Sequence, residues 1–165
     1  MDPFYLWLES SAFSVWMRES PSFFAFPAML TVHTVGMGMA AGINAAVALR
    51  VLGVSPRIPV KEMRRFLPIM WLGFWLNFAT GIALLIAYPT KALTNPVFYL
   101  KLACIGIALV IIRWVNRNLF RDDGRRAVEP RTMKFLAIAS LVCWAGAITA
   151  GRLLAYTHSR LLADF

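Results

Sequence analysis

Four long runs of apolar residues, 22–49, 66–88, 97–112 and 135–156, dominate the chain, and Arg, Lys, Pro and Gly concentrate between them. A helix needs about 20 apolar residues to cross the hydrocarbon of a bilayer, at about 1.5 Å per residue, and the third run reaches that length with one further turn. Backbone N–H and C=O groups find no water in hydrocarbon, so segments of this kind are helical. The pattern predicts an all-α protein, an integral membrane four-helix bundle. An earlier apolar stretch, Phe4 to Met17, is broken by Glu9 and Ser10-Ser11 and is too short to span. Its Phe4, Leu6, Leu8, Phe13, Val15 and Trp16 predict a short amphipathic helix lying in the membrane interface, with Asp2, Glu9 and Arg18 toward water. The expected division is an interfacial segment over 1–21, a transmembrane domain over 22–158 and a short tail over 159–165. No basic region precedes the first stretch and no small-residue cleavage pattern follows it, so a cleaved signal peptide is not expected.

The ends of the spans carry their own chemical marks. Ser55-Pro56 and Pro59 interrupt the first connection, Pro89 closes the second span, and Asn95-Pro96 places a capping side chain before a first-turn proline. Arg121-Asp122-Asp123-Gly124-Arg125-Arg126 reads as a solvated loop whose basic residues lie near anionic lipid headgroups.

Composition agrees with this reading. Apolar residues make up 59% of the chain and charged residues 15%, whereas soluble domains have about 45–50% and about 25%. The formal charge of +9 falls between the apolar runs and not on one face of a soluble domain, so it reports membrane orientation and not nucleic-acid binding. Arg50, Arg57, Lys61, Arg64 and Arg65 lie in the first connection, and Arg113, Arg117, Arg121, Arg125, Arg126, Arg131 and Lys134 in or beside the third. The N-terminal segment offers Arg18, the second connection Lys91 and the tail Arg160. The positive-inside rule therefore predicts a bacterial inner-membrane protein with both termini on the periplasmic side. Cys104 and Cys143 lie deep in apolar runs without a CxxC spacing and read as packing residues.

Candidate chemistry resides in the polar side chains inside the spans, because ionisable groups there cost several kcal/mol if lipid surrounds them. Met29, His33 and Met37 share one face of the first span at spacing i, i+4, i+8, and Gly38-xxx-Gly42 would allow a second helix or a flat cofactor close approach. Lys101 opens the third span, and Arg152, Tyr156 and His158 end the fourth. Helix rise places Arg152 and His33 at one height, roughly 25 Å above the inner boundary, with His158 about 9 Å higher still. None of the four runs contains an acidic residue, so this cationic cluster asks for an acidic ligand, a carbonyl or lipid phosphate. Asn44 and Asn77 are expected to hydrogen-bond across the bundle, and the Trp residues to sit in interfacial belts or against lipid.

Haem propionates and quinone carbonyls both satisfy the cationic cluster. His33 is the candidate axial ligand for haem b or the donor to a quinone, with Lys101, Arg152, Tyr156 and His158 completing the cofactor site. The Met29, His33, Met37 stripe offers Cu(I) soft ligands as an alternative. No carboxylate pair, Ser-His-Asp arrangement, HExxH motif or phosphate-binding glycine loop is present, so no catalytic residue is assigned and an electron-transfer subunit is favoured over a stand-alone enzyme.

The combination of His33, Leu49-Arg50-Val51-Leu52-Gly53, Thr80-Gly81, Asn95-Pro96-Val97-Phe98-Tyr99-Leu100-Lys101 and Gly151-Arg152-Leu153-Leu154-Ala155-Tyr156 resembles a family of small, functionally uncharacterised bacterial four-helix inner-membrane proteins. More distantly, the layout is similar to the copper-resistance D membrane domain and to b-type cytochrome membrane subunits, which place histidines within helical bundles. The paired intramembrane histidines of a dihaem cytochrome b are missing, which argues against a haem-to-haem relay. The resemblance implies emphasis on His33, Lys101, Arg152 and Tyr156. Three expectations follow: a membrane subunit of a respiratory-type electron-transfer assembly holding haem b or a quinone, a Cu(I)-binding import protein, or a cofactor-free anchor. Membrane lipid and further subunits, or a second copy of the chain, are the expected partners.

Overall fold

A computed structural model describes residues 3–120 and 129–161, with the side chains of 155 and 157–161 left outside the description. Two short helices, α1 (Pro3–Glu9) and α2 (Ala12–Glu19), precede the bundle. The four spanning helices are α3 (Phe26–Val51), α4 (Leu67–Ala87), α6 (Pro96–Leu119) and α7 (Pro130–Leu161). A 3₁₀ segment (Val60–Phe66) leads into α4, and a five-residue helix, α5 (Pro89–Leu93), occupies the turn between α4 and α6. All four long helices are long and apolar enough to cross a membrane, and no strand occurs among the described residues.

Local chemistry sets the helix ends. The first span begins at Phe26 and not at Ser22, because Ser22 is spent in a turn: its carbonyl accepts from Ala25 N–H at 3.1 Å and its Oγ from Phe24 N–H at 3.2 Å. Pro27 then occupies the first helical turn, where its missing N–H costs nothing. At the other end Gly53 adopts φ +101°, and Val54 N–H and Gly53 N–H close back onto the carbonyls of Leu49 and Arg50 at 3.0 and 3.1 Å. This double closure satisfies two orphan carbonyls and requires a residue without Cβ strain at Gly53. Asn95 caps α6 as its sequence predicts, its Oδ1 accepting from Val97 N–H at 2.9 Å.

The packing order is α4, α3, α7, α6, with each neighbour pair in close contact along the bundle. Between α3 and α4 the backbones nearly touch. A Cβ on Gly36 would stand 2.8 Å from the Gly73 carbonyl oxygen and from Asn77 N, and one on Gly73 would stand 2.5 Å from Met39 Cβ. The small-residue spacing that brings helices together is therefore Gly36-xxx-Ala40, not Gly38-xxx-Gly42, since a Cβ on Gly38 or Gly42 would meet nothing within 4 Å. The reason is rotational: Gly36 and Ala40 lie on the buried face, whereas Gly38 and Gly42 are exposed. Ala40, Ala41, Ala108 and Trp144 form the central core, and Val47, Met70 and Ile112 a second cluster nearer the basic connections. In the middle of the α3–α7 contact Asn44 Nδ2 donates to Ser140 Oγ at 3.0 Å, with both residues buried. Gly146 gives Cys104 room across the α6–α7 contact, as its Cβ would stand 3.3 Å from Cys104 Sγ.

The N-terminal helices are fastened to the bundle by hydrogen bonds. Ser14 Oγ donates to the Ala87 carbonyl at 3.2 Å, and Arg18 donates to the same carbonyl at 3.4 Å and to the Glu9 carbonyl at 2.8 Å. Glu9 Oε1 in turn accepts from Thr90 N–H at 3.3 Å, at the start of α5. Glu9 and Arg18 are thus half-buried fasteners and not water-facing charges, because the last carbonyls of α4 lack partners within their helix and attract the Arg18 donor, while the free N–H of Thr90 at the start of α5 attracts the Glu9 carboxylate. Trp7, Phe13 and Trp16 remain exposed. Asp2 lies outside the described residues.

Candidate functional site

At the end of the bundle covered by the N-terminal helices, a cavity of about 350 Å³ opens among α3, α4, α5, α6 and α7. It exists because α4 and α6 are not close-packed neighbours: they share a core cluster through Met70 and Ile112 at one end, and the cavity takes up the space between their other ends. Its walls are mainly apolar, with Leu30, Leu84, Leu85 and Leu154 beside the aromatic rings of Phe26, Tyr88 and Phe98. The polar groups are few: the imidazole of His33 on α3, the ammonium of Lys101 on α6 and that of Lys91 on α5. An apolar cleft of this size with a few convergent polar groups is the usual form of a cofactor or small-molecule site.

His33 is held at three points. Its Nδ1 lies 3.0 Å from Thr80 Oγ1, its backbone carbonyl accepts from Asn77 Nδ2 at 2.7 Å, and its ring rests on Gly81, whose Cβ would stand 3.4 Å from His33 Cε1. The Thr80 hydroxyl has one proton and sits 2.6 Å from the Leu76 carbonyl. That proton is committed to the carbonyl, so the hydroxyl oxygen accepts from His33 Nδ1–H. The lone pair of the neutral ring is then on Nε2, the arrangement that second-shell acceptors impose on ligating histidines.

Lys101 is treated alike by its neighbours. Its side chain lies along Gly151 of α7, where a Cβ would stand 3.7 Å from both Cε and Nζ. The imidazole and the lysine thus lie against the backbone of the facing helices at Gly81 and Gly151, at distances where an added Cβ would make ordinary van der Waals contact. Among the described residues, none that lines the cavity is acidic.

The structure brings together His33 and Lys101 at the cavity, while Arg152, Tyr156, Met29 and Met37 do not line it. Arg152 and Tyr156 are exposed on α7, although Gly151 and Leu154 between and beside them line the wall. A one-residue step on a helix turns a side chain by about 100°, so the residue next to a lining position points elsewhere. The side chain of His158 lies outside the described residues. Met29 and Met37 are half-buried on α3 and do not line the cavity. Among the described residues no group of three or more His, Cys, Asp or Glu side chains could hold a metal ion.

Lys91, Thr80 and Gly81 were not singled out as site residues by sequence. Thr80-Gly81 follows Asn77 by three and four residues, the helical spacing that puts a hydroxyl and an amide on one face, and this was the available signal. Lys91 stands in what reads as a turn and joins the cavity only because α5 folds that turn over the bundle end.

The fold and the cavity define an all-α membrane-spanning bundle with a cofactor-sized cleft near one end. Comparison of the chain with protein-family models, curated proteins and solved structures finds no match.

Proposed function

We propose that the protein is a membrane-embedded electron-transfer subunit that holds a redox cofactor, b-type haem or a quinone, in this cavity. The observation that carries the reading is His33: an imidazole inside a membrane-spanning bundle, its Nδ1 3.0 Å from Thr80 Oγ1, lining an apolar cleft that Lys101 also lines; with the Thr80 proton on the Leu76 carbonyl, Nε2 is the lone-pair nitrogen. The donor set fits either group, since Nε2 suits haem iron, and imidazole and ammonium suit quinone carbonyls. When bound, the group supplies the electron transfer, while the chain fixes its position, excludes water with the leucine and aromatic walls, and compensates negative charge with lysine.

The basic connections support a periplasmic location for the cavity in a bacterial inner membrane. Arg50 lies in the last turn of α3 with Arg57, Lys61, Arg64 and Arg65 after it, and Arg113 and Arg117 lie toward the far end of α6, so the positive-inside rule assigns that end to the cytoplasm.

The test is the oxidised and dithionite-reduced absorption spectrum of protein purified in detergent from its native membrane, with extracted quinone quantified on the same sample. The reading expects reduced b-type bands or stoichiometric quinone, either of them lost in His33→Ala. Stoichiometric copper in place of both, or no cofactor at all in folded protein, overturns it.

A further inference from the structure

Two atoms of the His33 ring are turned toward α4. Nδ1 lies 3.0 Å from Thr80 Oγ1, and Cε1 stands 3.4 Å from the position a Cβ on Gly81 would take. Nε2 has no partner among the described residues, whose enclosed and unpartnered side-chain polar atoms are Thr90 Oγ1, Asn116 Oδ1 and Trp144 Nε1. It is therefore open to the cavity that His33 lines. The Thr80 proton sits on the Leu76 carbonyl at 2.6 Å, so Nδ1 carries the proton of the neutral imidazole and Nε2 can only accept. Lys101 brings the opposite property to the same cavity, since an ammonium donates and never accepts. One acceptor is thus paired with one donor across an apolar cleft.

That pairing distinguishes the two redox forms of a quinone. Both oxygens of the oxidised ring are carbonyls that only accept; one suits Lys101, and the other sets its lone pair against that of Nε2, which becomes a donor only after taking a proton. A hydroquinone hydroxyl both donates and accepts, so one hydroxyl meets Nε2 with its O–H and the other receives the ammonium. Resting on the quinone arm of the cofactor reading above, we propose that the cavity binds the reduced, hydroquinone form of a lipid-phase quinone in preference to the oxidised form, His33 Nε2 accepting from one hydroxyl and Lys101 donating to the second oxygen. The leucine and aromatic walls suit the ring, and α4 and α6, which are not close-packed at this end, leave an apolar tail a path toward the bilayer. An acceptor left without a donor in an apolar cleft is poorly solvated, which sharpens the discrimination.

The experiment is a calorimetric titration of the purified full-length protein in detergent, without oxygen and at about pH 8, where an ordinary imidazole is neutral. The probes are decylhydroquinone, its dimethyl ether, which keeps ring and tail but has no O–H, and decylquinone. The hydroquinone is expected to bind at least about tenfold more tightly than either of the others, the scale of one buried acceptor left unmet. Lys101→Gln should weaken hydroquinone and quinone alike and keep their ratio within about twofold of the wild type, because the ammonium serves an oxygen of either form. Thr80→Val leaves the imidazole in place but frees its tautomer, so that Nε2 can carry the proton, and should bring the two affinities to within about twofold of each other. His33→Ala should equalise them as well. Binding of the hydroquinone no tighter than the quinone or the ether in the wild type overturns the proposal, as does a preference that survives both Thr80→Val and His33→Ala. If haemin binds folded protein and none of the three probes does, the proposal falls and the electron-transfer reading stands. If neither haemin nor any probe binds, both fall.

Discussion

Nδ1 of His33 on α3 lies 3.0 Å from Oγ1 of Thr80 on α4, and the Thr80 hydroxyl spends its own proton on the Leu76 carbonyl at 2.6 Å. This one contact fixes the tautomer of the imidazole and ties the candidate site to the most tightly packed helix pair of the bundle.

Removing that acceptor should weaken the site without emptying it. Thr80→Val keeps the shape of the side chain and deletes the oxygen that receives Nδ1–H. Loss of such an outer-shell partner costs about 10–100-fold in affinity at ligating histidines. Titration of the purified variant with haemin should show a fall in that range, and Thr80→Ser should restore most of it.

The α3–α4 crossing gives a prediction about stability alone. Gly36→Ala and Gly73→Ala each place a methyl group within 3 Å of facing backbone or a facing Cβ, and backbone cannot move aside cheaply. Each should destabilise the protein by about 1–3 kcal/mol, measured by unfolding in mixed detergent micelles. Gly38→Ala and Gly42→Ala meet open space and should be neutral or slightly stabilising.

Asn44 and Ser140 exchange two hydrogen bonds in the buried middle of the bundle, at 3.0 and 3.3 Å. Interhelical hydrogen bonds in membranes contribute about 0.6 kcal/mol on average and up to about 1.7. A double-mutant cycle with Asn44→Leu and Ser140→Ala should return a coupling in the upper part of that range, because no water competes for either group.

Arg18 and Ser14 both cap the Ala87 carbonyl at the end of α4. Arg18→Ala with Ser14→Ala should release α1 and α2 while the four spans stay folded. Hydrogen exchange read by mass spectrometry should speed up over residues 3–19 and leave the interior of α3 unchanged. Because Glu9 of α1 holds the start of α5, exchange should also rise around Thr90.

Much of this architecture is readable along the chain. Apolar runs of spanning length decide the number of helices, since backbone in hydrocarbon must bond to itself, and Asn95-Pro96 marks a helix start by chemistry confined to neighbouring residues. His33 and Lys101 stand out for a similar reason: a polar side chain within an apolar run is visible without any knowledge of its neighbours. Which face each helix buries was not readable in the same way, because lipid accepts apolar residues as readily as the protein interior does. The apolar pattern therefore runs all round each span and carries no rotational information. That is why the close crossing falls at Gly36 and not at Gly38, why Gly151 lines the cavity while Arg152 is exposed, and why Thr80 and Lys91 join His33 only once the helices are packed. Length and polarity belong to the sequence; rotation about the helix axis belongs to the contacts between helices, and the cavity is made by that rotation.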